Sequence, residues 1–317
     1  MLRIPASVAV LFCHVSFPAP VDDYTVAVCR YAVPFFYLVT GWFLWREDEV
    51  RGRRAMLRSL RTTLRMLFMA TVISLPATMI GNLIKGKPFQ VWLDHYRTPE
   101  TLHEFLLYNR STFISSITWY LFALLYAQVI YLVLVRIRLR PLLCALSPVL
   151  LAAGVYRVSV LHLPWYYTGN WLYTALPLLV LGTVLRERGW CQKLPAWSAW
   201  VMVVLGTGLT LWETSWNGQR FLTVGVLMLA FGMFTLAIQG WGMQWKSWLT
   251  RFGREATPVI FLVHCPLREM IYAWTGKPEG VLGWQMPFVI LDLSVVIALV
   301  VMLVRAVTRE LKRVQML

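Results

Sequence analysis

Ten apolar segments, separated by mostly short polar connections, dominate the sequence. Hydrophobic residues make up 58% of the 317 positions, charged residues only 14%, and the mean hydropathy is +0.61. Inside a bilayer the backbone must bond to itself, which favours helices. Several segments are shorter than the usual ~20 residues of a spanning helix. The pattern predicts an all-α, polytopic membrane helix bundle of about ten transmembrane helices, near 4–18, 28–45, 64–84, 117–136, 142–161, 171–186, 197–213, 221–238, 257–274 and 288–306.

The basic residues set the predicted orientation. A net charge of +15 can indicate nucleic-acid binding, but here the Lys and Arg residues follow the connections. Twenty of the thirty lie after even-numbered segments and seven after odd-numbered ones. Because cytoplasmic loops carry the excess of Lys and Arg, both termini are predicted to be cytoplasmic. The interpretation is a multi-pass protein of the cell inner (plasma) membrane that contacts lipid and no nucleic acid.

The polar connections are too short for a second domain. The longest covers roughly 85–116, so residues 1–317 are expected to form a single domain without a soluble appendage or a cleavable signal peptide. The five cysteines show no CxxC pair and no metal-ligand spacing. They are expected to be small buried hydrophobes, with no metal bound.

The first segment carries two polar groups, Arg3 and His14. Eleven helical residues make three turns, so both groups lie on nearly the same face, about 16 Å apart. Arg3 then sits at one water boundary of the membrane and His14 near mid-depth. An ionisable group at that depth is costly and marks a functional site. The alternative is a structural histidine bonded to a backbone carbonyl.

The second segment reads Arg-Tyr-Ala-Val-Pro-Phe-Phe from Arg30 and continues to Thr40-Gly41-Trp42. Pro34 is expected to kink this helix, and Gly41 to allow another helix to approach closely. Together with the Arg and His of the first segment, this run resembles the acyltransferase-3 family. Softer resemblances lie at 118–124, 177–182 and 260–266. The sequence departs from the family's usual pattern at two places. Only Met1 precedes Leu2-Arg3, where the family usually has more residues, and Thr40 stands where the family usually has Ser.

The resemblance implies an integral-membrane O-acyltransferase of glycans and related acceptors. The donor is then acetyl-CoA or another acyl-CoA, and the acceptor a glycan, a lipid-linked sugar or a similar molecule. Acyl transfer to a hydroxyl requires a base for the departing proton. A buried imidazole favours the neutral form that a base needs, so His14 is the candidate general base. The alternative is that His14 takes the acyl group itself. The sequence does not identify the carboxylate expected to orient its ring.

The connection after the second segment is rich in arginine. Arg58 and Arg61 are spaced i,i+3, so one helical face presents two guanidinium groups suited to phosphates. With Arg3, this pair is the candidate acyl-CoA-binding set, and the resemblance implies the same use for the pair. Arg65 is a candidate contact for acyl-CoA or lipid. For Arg51, Arg53 and Arg54, setting topology and touching anionic lipid is favoured.

Other intramembrane or boundary residues are candidates for the acceptor site or its support. They are Arg30, Trp119, Tyr120, His264, Arg268 and Asp292. Trp119 and Tyr120 also fit an aromatic belt at the membrane boundary. For Arg268 and Asp292, a buried ion pair between helices is favoured over a catalytic role.

A transporter is the alternative function. Intramembrane Arg30, Arg268, Glu269 and Asp292 are also compatible with a path for a small amino acid such as serine. Some chains that resemble this family are membrane parts of amino-acid racemases proposed to move serine. An arginine pair suited to phosphates is not needed for such a path.

Overall fold

The computed structural model describes residues 2–240 and 247–314, and this part of the chain is helical without strands. Lys246, one of the twenty basic residues that follow even-numbered segments, lies outside the described residues, as do Met1 and residues 315–317. The all-α prediction is confirmed. The helices are α1 (Arg3–His14), α2 (Val21–Cys29), α3 (Ala32–Leu44), α4 (Glu49–Ile84), α5 (Phe89–Tyr96), α6 (Pro99–Tyr108), α7 (Thr118–Arg136), α8 (Arg140–Ser159), α9 (Leu176–Arg188), α10 (Trp190–Lys193), α11 (Ala196–Asn217), α12 (Val224–Ile238), α13 (Ser247–Glu255), α14 (Thr257–Thr275) and α15 (Gly280–Val314).

Five stretches within the described residues are long and apolar enough to cross a membrane. They are Val21–Leu44, Glu49–Ile84, Thr118–Arg136, Arg140–Ser159 and Gly280–Leu311. Two further apolar helices, α1 and α12, are shorter than a full span. Each of the ten predicted segments overlaps a helix. The structure therefore has several helices that could span a membrane by length and composition, while the count of ten and the cytoplasmic termini stay predictions.

The predicted kink in the second segment is a break between α2 and α3. Pro34 has no N–H to give the carbonyl of Arg30, four residues earlier. That carbonyl instead accepts a bond from Val33 N at 3.3 Å. The chain turns at Arg30 and Tyr31 before α3 begins, which places the Arg30 side chain at the junction of two helices.

Close contact between helices depends on glycine, as expected for membrane bundles. A Cβ on Gly41 of α3 would lie 2.0 Å from the carbonyl oxygen of Leu179 in α9. A Cβ on Gly182 of α9 would lie 2.3 Å from the carbonyl oxygen of Leu38. The prediction that Gly41 admits a neighbouring helix is confirmed, and the neighbour is α9.

The first helix lies inside the bundle and connects its parts. One face of α1 carries the buried side chains Ala6, Ala9 and Val10, which join the largest apolar cluster together with α3, α7, α9 and α12. Leu11 joins a second cluster formed with α14 and α15. Because α1 is wedged between these two groups of helices, His14 at its end is surrounded by neighbours, whereas Arg3 at its start is exposed.

The long connection near 85–116 folds into the short helices α5 and α6. It is fixed to the aromatic segment near 165–171 by two bonds: Trp171 N donates to Asn109 Oδ1 at 3.0 Å, and Trp171 Nε1 donates to the carbonyl of Leu107 at 2.9 Å. Asn109 is completely buried. The segment is therefore packed against the bundle end from which α7 starts.

Candidate active site

The two polar residues of the first segment occupy the two ends of one helix. Arg3 is the first residue of α1 and His14 the last. The helix predicted from their spacing is therefore present, and it carries a cation at one end and an imidazole at the other. Arg3 lies over the ring of Phe43, with Cζ 5.9 Å from the ring centroid.

A second histidine, rather than a carboxylate, faces His14 among the described residues. The ring centroids of His14 and His264 are 5.4 Å apart, with the planes inclined by 41°. His264 lies in α14 and is 1% exposed, while His14 is half-buried. The pair therefore joins the end of α1 to the middle of α14, and only His14 retains open surface.

The hydrogen bond of His264 fixes its tautomer. Nδ1 lies 3.0 Å from the carbonyl oxygen of Ile260, which can only accept, so Nδ1 carries the hydrogen. In the neutral ring, Nε2 then presents a lone pair. That nitrogen is buried and has no hydrogen-bond partner among the described residues. A buried orphan of this kind is rare and calls for an explanation.

The thiol of Cys265 completes the cluster. Ligand-type atoms of His14, His264 and Cys265 lie within 4.8 Å of one another. Ser116 Oγ is 3.3 Å from Cys265 Sγ. Two nitrogens and a sulfur are also ligand types for zinc, so this is where the described chain could hold such an ion. That no metal binds stays a prediction. Cys265 is buried as predicted, but it also has polar neighbours.

Arg268 secures the end of α1. Its Nη1 donates to the carbonyl of His14 at 2.7 Å, which satisfies one of the free carbonyls at the helix terminus. Its Nη2 donates to Glu269, so both ends of the guanidinium are bonded.

The prediction of an ion pair between Arg268 and Asp292 is wrong. Glu269 is the acidic partner of Arg268, and Asp292 is exposed on α15. The reason is that Asp292 lies on the face of α15 that points away from α14.

A cavity of about 290 Å³ opens at the other end of α1, between α1, α3 and α4. Three arginines line it, Arg3, Arg46 and Arg58, together with the hydroxyls of Thr40 and Ser59, and none of the described residues in its wall is acidic. Such a wall attracts an anion. Arg61 and Arg65 lie outside the wall and are exposed on α4. Of the predicted pair, Arg58 lines the cavity and Arg61 does not, while their binding of acyl-CoA stays a prediction.

A line of rings runs from the cavity end toward the two histidines. Tyr120 stacks on Tyr37 at 4.7 Å and approaches Phe261 at 6.0 Å, and Phe261 lies 6.2 Å from the ring of His264. Tyr120 is also within electrostatic range of Arg3. Tyr120 is therefore connected through Phe261 to the ring of His264, while its place in an aromatic belt stays a prediction.

Two further candidates lie apart from the histidines. Trp119 is buried and packs edge-on against Trp165 and Phe221, with centroids 5.2 and 5.3 Å away. Arg30 donates from Nη2 to Gln219 Oε1 at 3.1 Å, while its buried Nη1 has no partner among the described residues. Trp119 is part of an aromatic core, whereas Arg30 retains an unused donor.

Comparison with known proteins decides the family. Residues 1–306 match the family described as an acyltransferase domain, which is nearly the whole chain. The chain belongs to the acyltransferase-3 family. No curated protein and no solved structure matches it. Membership supports a membrane acyltransferase and does not favour the transporter alternative.

Sequence reasoning missed Arg46 in the cavity wall, Ser116 and Cys265 beside the histidines, and Gln219, which contacts the separate candidate Arg30. Of the arginines in its connection, Arg46 is the one closest to the end of α3, and this position could have indicated that it lies near the helix ends that form the cavity. Cys265 directly follows a candidate histidine, which was a second usable signal. Nothing local marks Ser116 or Gln219, because each acts through a contact across the bundle.

Proposed function

We propose that this membrane acyltransferase moves an acetyl or other short acyl group from cytosolic acyl-CoA to a hydroxyl of a cell-envelope glycan or similar acceptor, with His14 as general base. One observation carries the proposal: a single helix, α1, joins the arginine-lined cavity at Arg3 to the imidazole of His14. A phosphate-bearing donor bound in the cavity thus lies along the helix that leads to the base.

The donor half of the site is the cavity. Guanidinium groups hold phosphates through paired, charge-assisted hydrogen bonds. In the proposal, Arg46 and Arg58 bind the phosphates of the coenzyme. The pantetheine arm then passes Arg3 and follows α1 toward His14. The hydroxyls of Thr40 and Ser59 supply uncharged partners, and Ser59 is held by Gln128 Nε2 at 2.9 Å.

The chemical half is the histidine pair. His14 takes the proton of the acceptor hydroxyl while the oxygen attacks the acyl carbonyl. Negative charge develops on the carbonyl oxygen. As this charge collapses, the bond from the carbonyl carbon to the coenzyme sulfur breaks, and the leaving thiolate takes the proton from His14 and departs as CoA. The guanidinium of Arg268, fixed between the His14 carbonyl and Glu269, contributes a positive charge beside that oxygen. Because both bonds of Arg268 are formed before the reaction, little reorganisation is required.

The test of the function uses the full chain purified into lipid nanodiscs. We expect release of CoA from acetyl-CoA, followed with a thiol reagent, and incorporation of labelled acetyl into an envelope glycan fraction. Vesicles containing the protein should not accumulate labelled serine. Serine uptake without coenzyme, together with no use of acetyl-CoA, would contradict the proposal and restore the transporter alternative.

A first prediction concerns the arginines of α4. Arg58→Ala should raise KM for acetyl-CoA about tenfold with kcat nearly unchanged, because a charged hydrogen bond to phosphate is worth about 1.5 kcal/mol or more. Arg61→Ala should have a smaller effect, since its side chain lies outside the cavity wall. The measurement is initial rate against acetyl-CoA concentration.

Arg53→Ala is the matched control, because Arg53 is an exposed arginine of the same helix that lines no part of the cavity. Its KM should equal that of the parent protein. An effect of Arg61→Ala larger than that of Arg58→Ala would show that the coenzyme lies along the outer face of α4 rather than in the cavity.

A further inference from the structure

A thiol and an imidazole lie together at the core of the site, on consecutive positions of α14. Cys265 Sγ lies within 4.8 Å of a ring nitrogen of His264. The Nε2 lone pair of His264 has no partner, and its Nδ1 is fixed by the carbonyl of Ile260. A nucleophile, a base and a group that orients the base are the parts of an activated nucleophile. The proposed function uses neither the thiol nor this lone pair.

From this arrangement we infer that Cys265 carries the acyl group as a thioester between donor and acceptor. This inference rests on the proposed acyl transfer and assigns a separate role to each imidazole. His264 serves the thiol, and His14, the half-buried member of the pair, serves the acceptor hydroxyl.

The first step exchanges one thioester for another. His264 Nε2 takes the proton of the Cys265 thiol, and Sγ attacks the carbonyl carbon of acyl-CoA. The bond from that carbon to the coenzyme sulfur breaks, and the leaving thiolate takes the proton from His264 and departs as CoA. A thioester bond forms and a thioester bond breaks, so the step is nearly balanced in energy and involves no oxidation or reduction.

The second step delivers the acyl group. His14 takes the proton of the acceptor hydroxyl while the oxygen attacks the carbonyl carbon on Cys265. The bond from that carbon to Sγ breaks, and the sulfur recovers a proton from His14 as the thiol. CoA can therefore leave before the acceptor arrives, so the two substrates need not occupy the bundle together.

The surroundings of the thiol suit this role. Ser116 Oγ, at 3.3 Å, can donate to a thiolate, and the guanidinium of Arg268 is within electrostatic range of Sγ. Cys265 is 0% exposed and packs with Ala70 and Leu262, so water that would hydrolyse a thioester is excluded. Pro266 has no N–H to bond to the carbonyl of Leu262, so α14 lacks one backbone hydrogen bond beside Cys265.

The decisive experiment is isotope exchange without an acceptor. The full-length protein in nanodiscs is incubated with acetyl-CoA and labelled CoA, and label entering acetyl-CoA is followed. We expect exchange, because only a mechanism with an acyl-enzyme transfers the acetyl group back to free CoA. Protein quenched during turnover should carry acetyl on the peptide containing Cys265, released by neutral hydroxylamine.

Three variants sharpen this test. Cys265→Ser should lose exchange, while Cys191→Ser, at another buried free thiol, should keep it. His264→Asn retains a side-chain donor for the carbonyl of Ile260 but removes the Nε2 base, so exchange should fall about 100-fold or more. Elution by size exclusion and protection by acetyl-CoA against heating establish that each variant is folded.

Several results would overturn the inference. Acetyl-CoA consumption that needs a glycan fraction, without any exchange, would remove the thioester and leave the proposed function standing. Label on either histidine would move the acyl group elsewhere. One bound zinc per chain, lost in both the Cys265 and His264 variants, would show that the thiol and the lone pair serve a metal. Failure to use acetyl-CoA at all would end the proposed function as well.

Discussion

His14→Ala should lower kcat for acyl transfer by about 10²- to 10⁴-fold, the range over which a positioned general base contributes. KM for acetyl-CoA should change little, because the arginine-lined cavity lies at the opposite end of α1, three helical turns away. His14→Gln, which keeps polar bulk without a basic nitrogen, should be equally impaired. Steady-state rates on purified protein in nanodiscs give both constants.

His103→Ala is the control for loss of a histidine, since His103 is exposed on α6. It should transfer acyl groups at the parent rate. Normal turnover by His14→Ala would end the assignment of the base. A large rise in KM with kcat preserved would show that His14 binds the donor instead of taking a proton.

The parts of the site that lie on one helix could be predicted from the sequence. Arg3 and His14 are separated by three helical turns, and the structure places both on α1 as the spacing requires. Gly41 could be predicted for a similar reason, because only glycine brings two helical backbones into contact at this distance. In both cases the information lies within one helix: the spacing of two residues in α1, and the residue type at one position of α3.

The partners of these residues depend on which helices meet, and that was not predictable. Arg268 bonds to the His14 carbonyl across 254 positions of sequence. The sequence favoured Asp292 as the partner of Arg268, because adjacent helical positions such as 268 and 269 do not face each other. The outcome depends on how α15 is rotated against α14, and Glu269 is the partner in the structure. The same holds for His14, whose neighbour is an imidazole rather than the expected carboxylate.

The arginine-lined cavity shows how a correctly predicted helix can contribute only part of a cavity wall. Arg58 and Arg61 lie on α4 with the spacing that was inferred. The cavity, however, is formed by three helices, so only the arginine facing α1 and α3 lines it. Arg46 enters from the end of α3 because the chain turns there toward α4. Helical spacing therefore placed Arg58 and Arg61 on α4, and the packing of three helices decided that Arg58 and Arg46 line the cavity. Which of these arginines bind acyl-CoA stays a prediction.

The largest effect on stability is expected at the contact between α3 and α9. Gly41→Ala places a methyl group 2.0 Å from a carbonyl oxygen, and Gly182→Ala places one at 2.3 Å. Both obstacles are backbone atoms, which cannot rotate away as a side chain can. Each substitution should destabilise the protein by about 3 kcal/mol or more, at the upper end for overpacked sites. Thermal unfolding in detergent and recovery of monodisperse protein measure the loss.

Gly208→Ala is the matched control, because Gly208 is exposed on α11 and a Cβ there meets no atom within 4 Å. Its melting temperature should be unchanged or slightly raised, because alanine is the better helix former. The pair Gly41→Ala and Gly182→Ala should cost less together than the sum of the single variants, since either methyl group already separates the same two helices. Gly41→Ala combined with Gly206→Ala, which disrupts the separate α11–α12 contact, should cost the full sum. Equal additivity in both combinations would show that the glycines act on their own helices rather than on a shared interface.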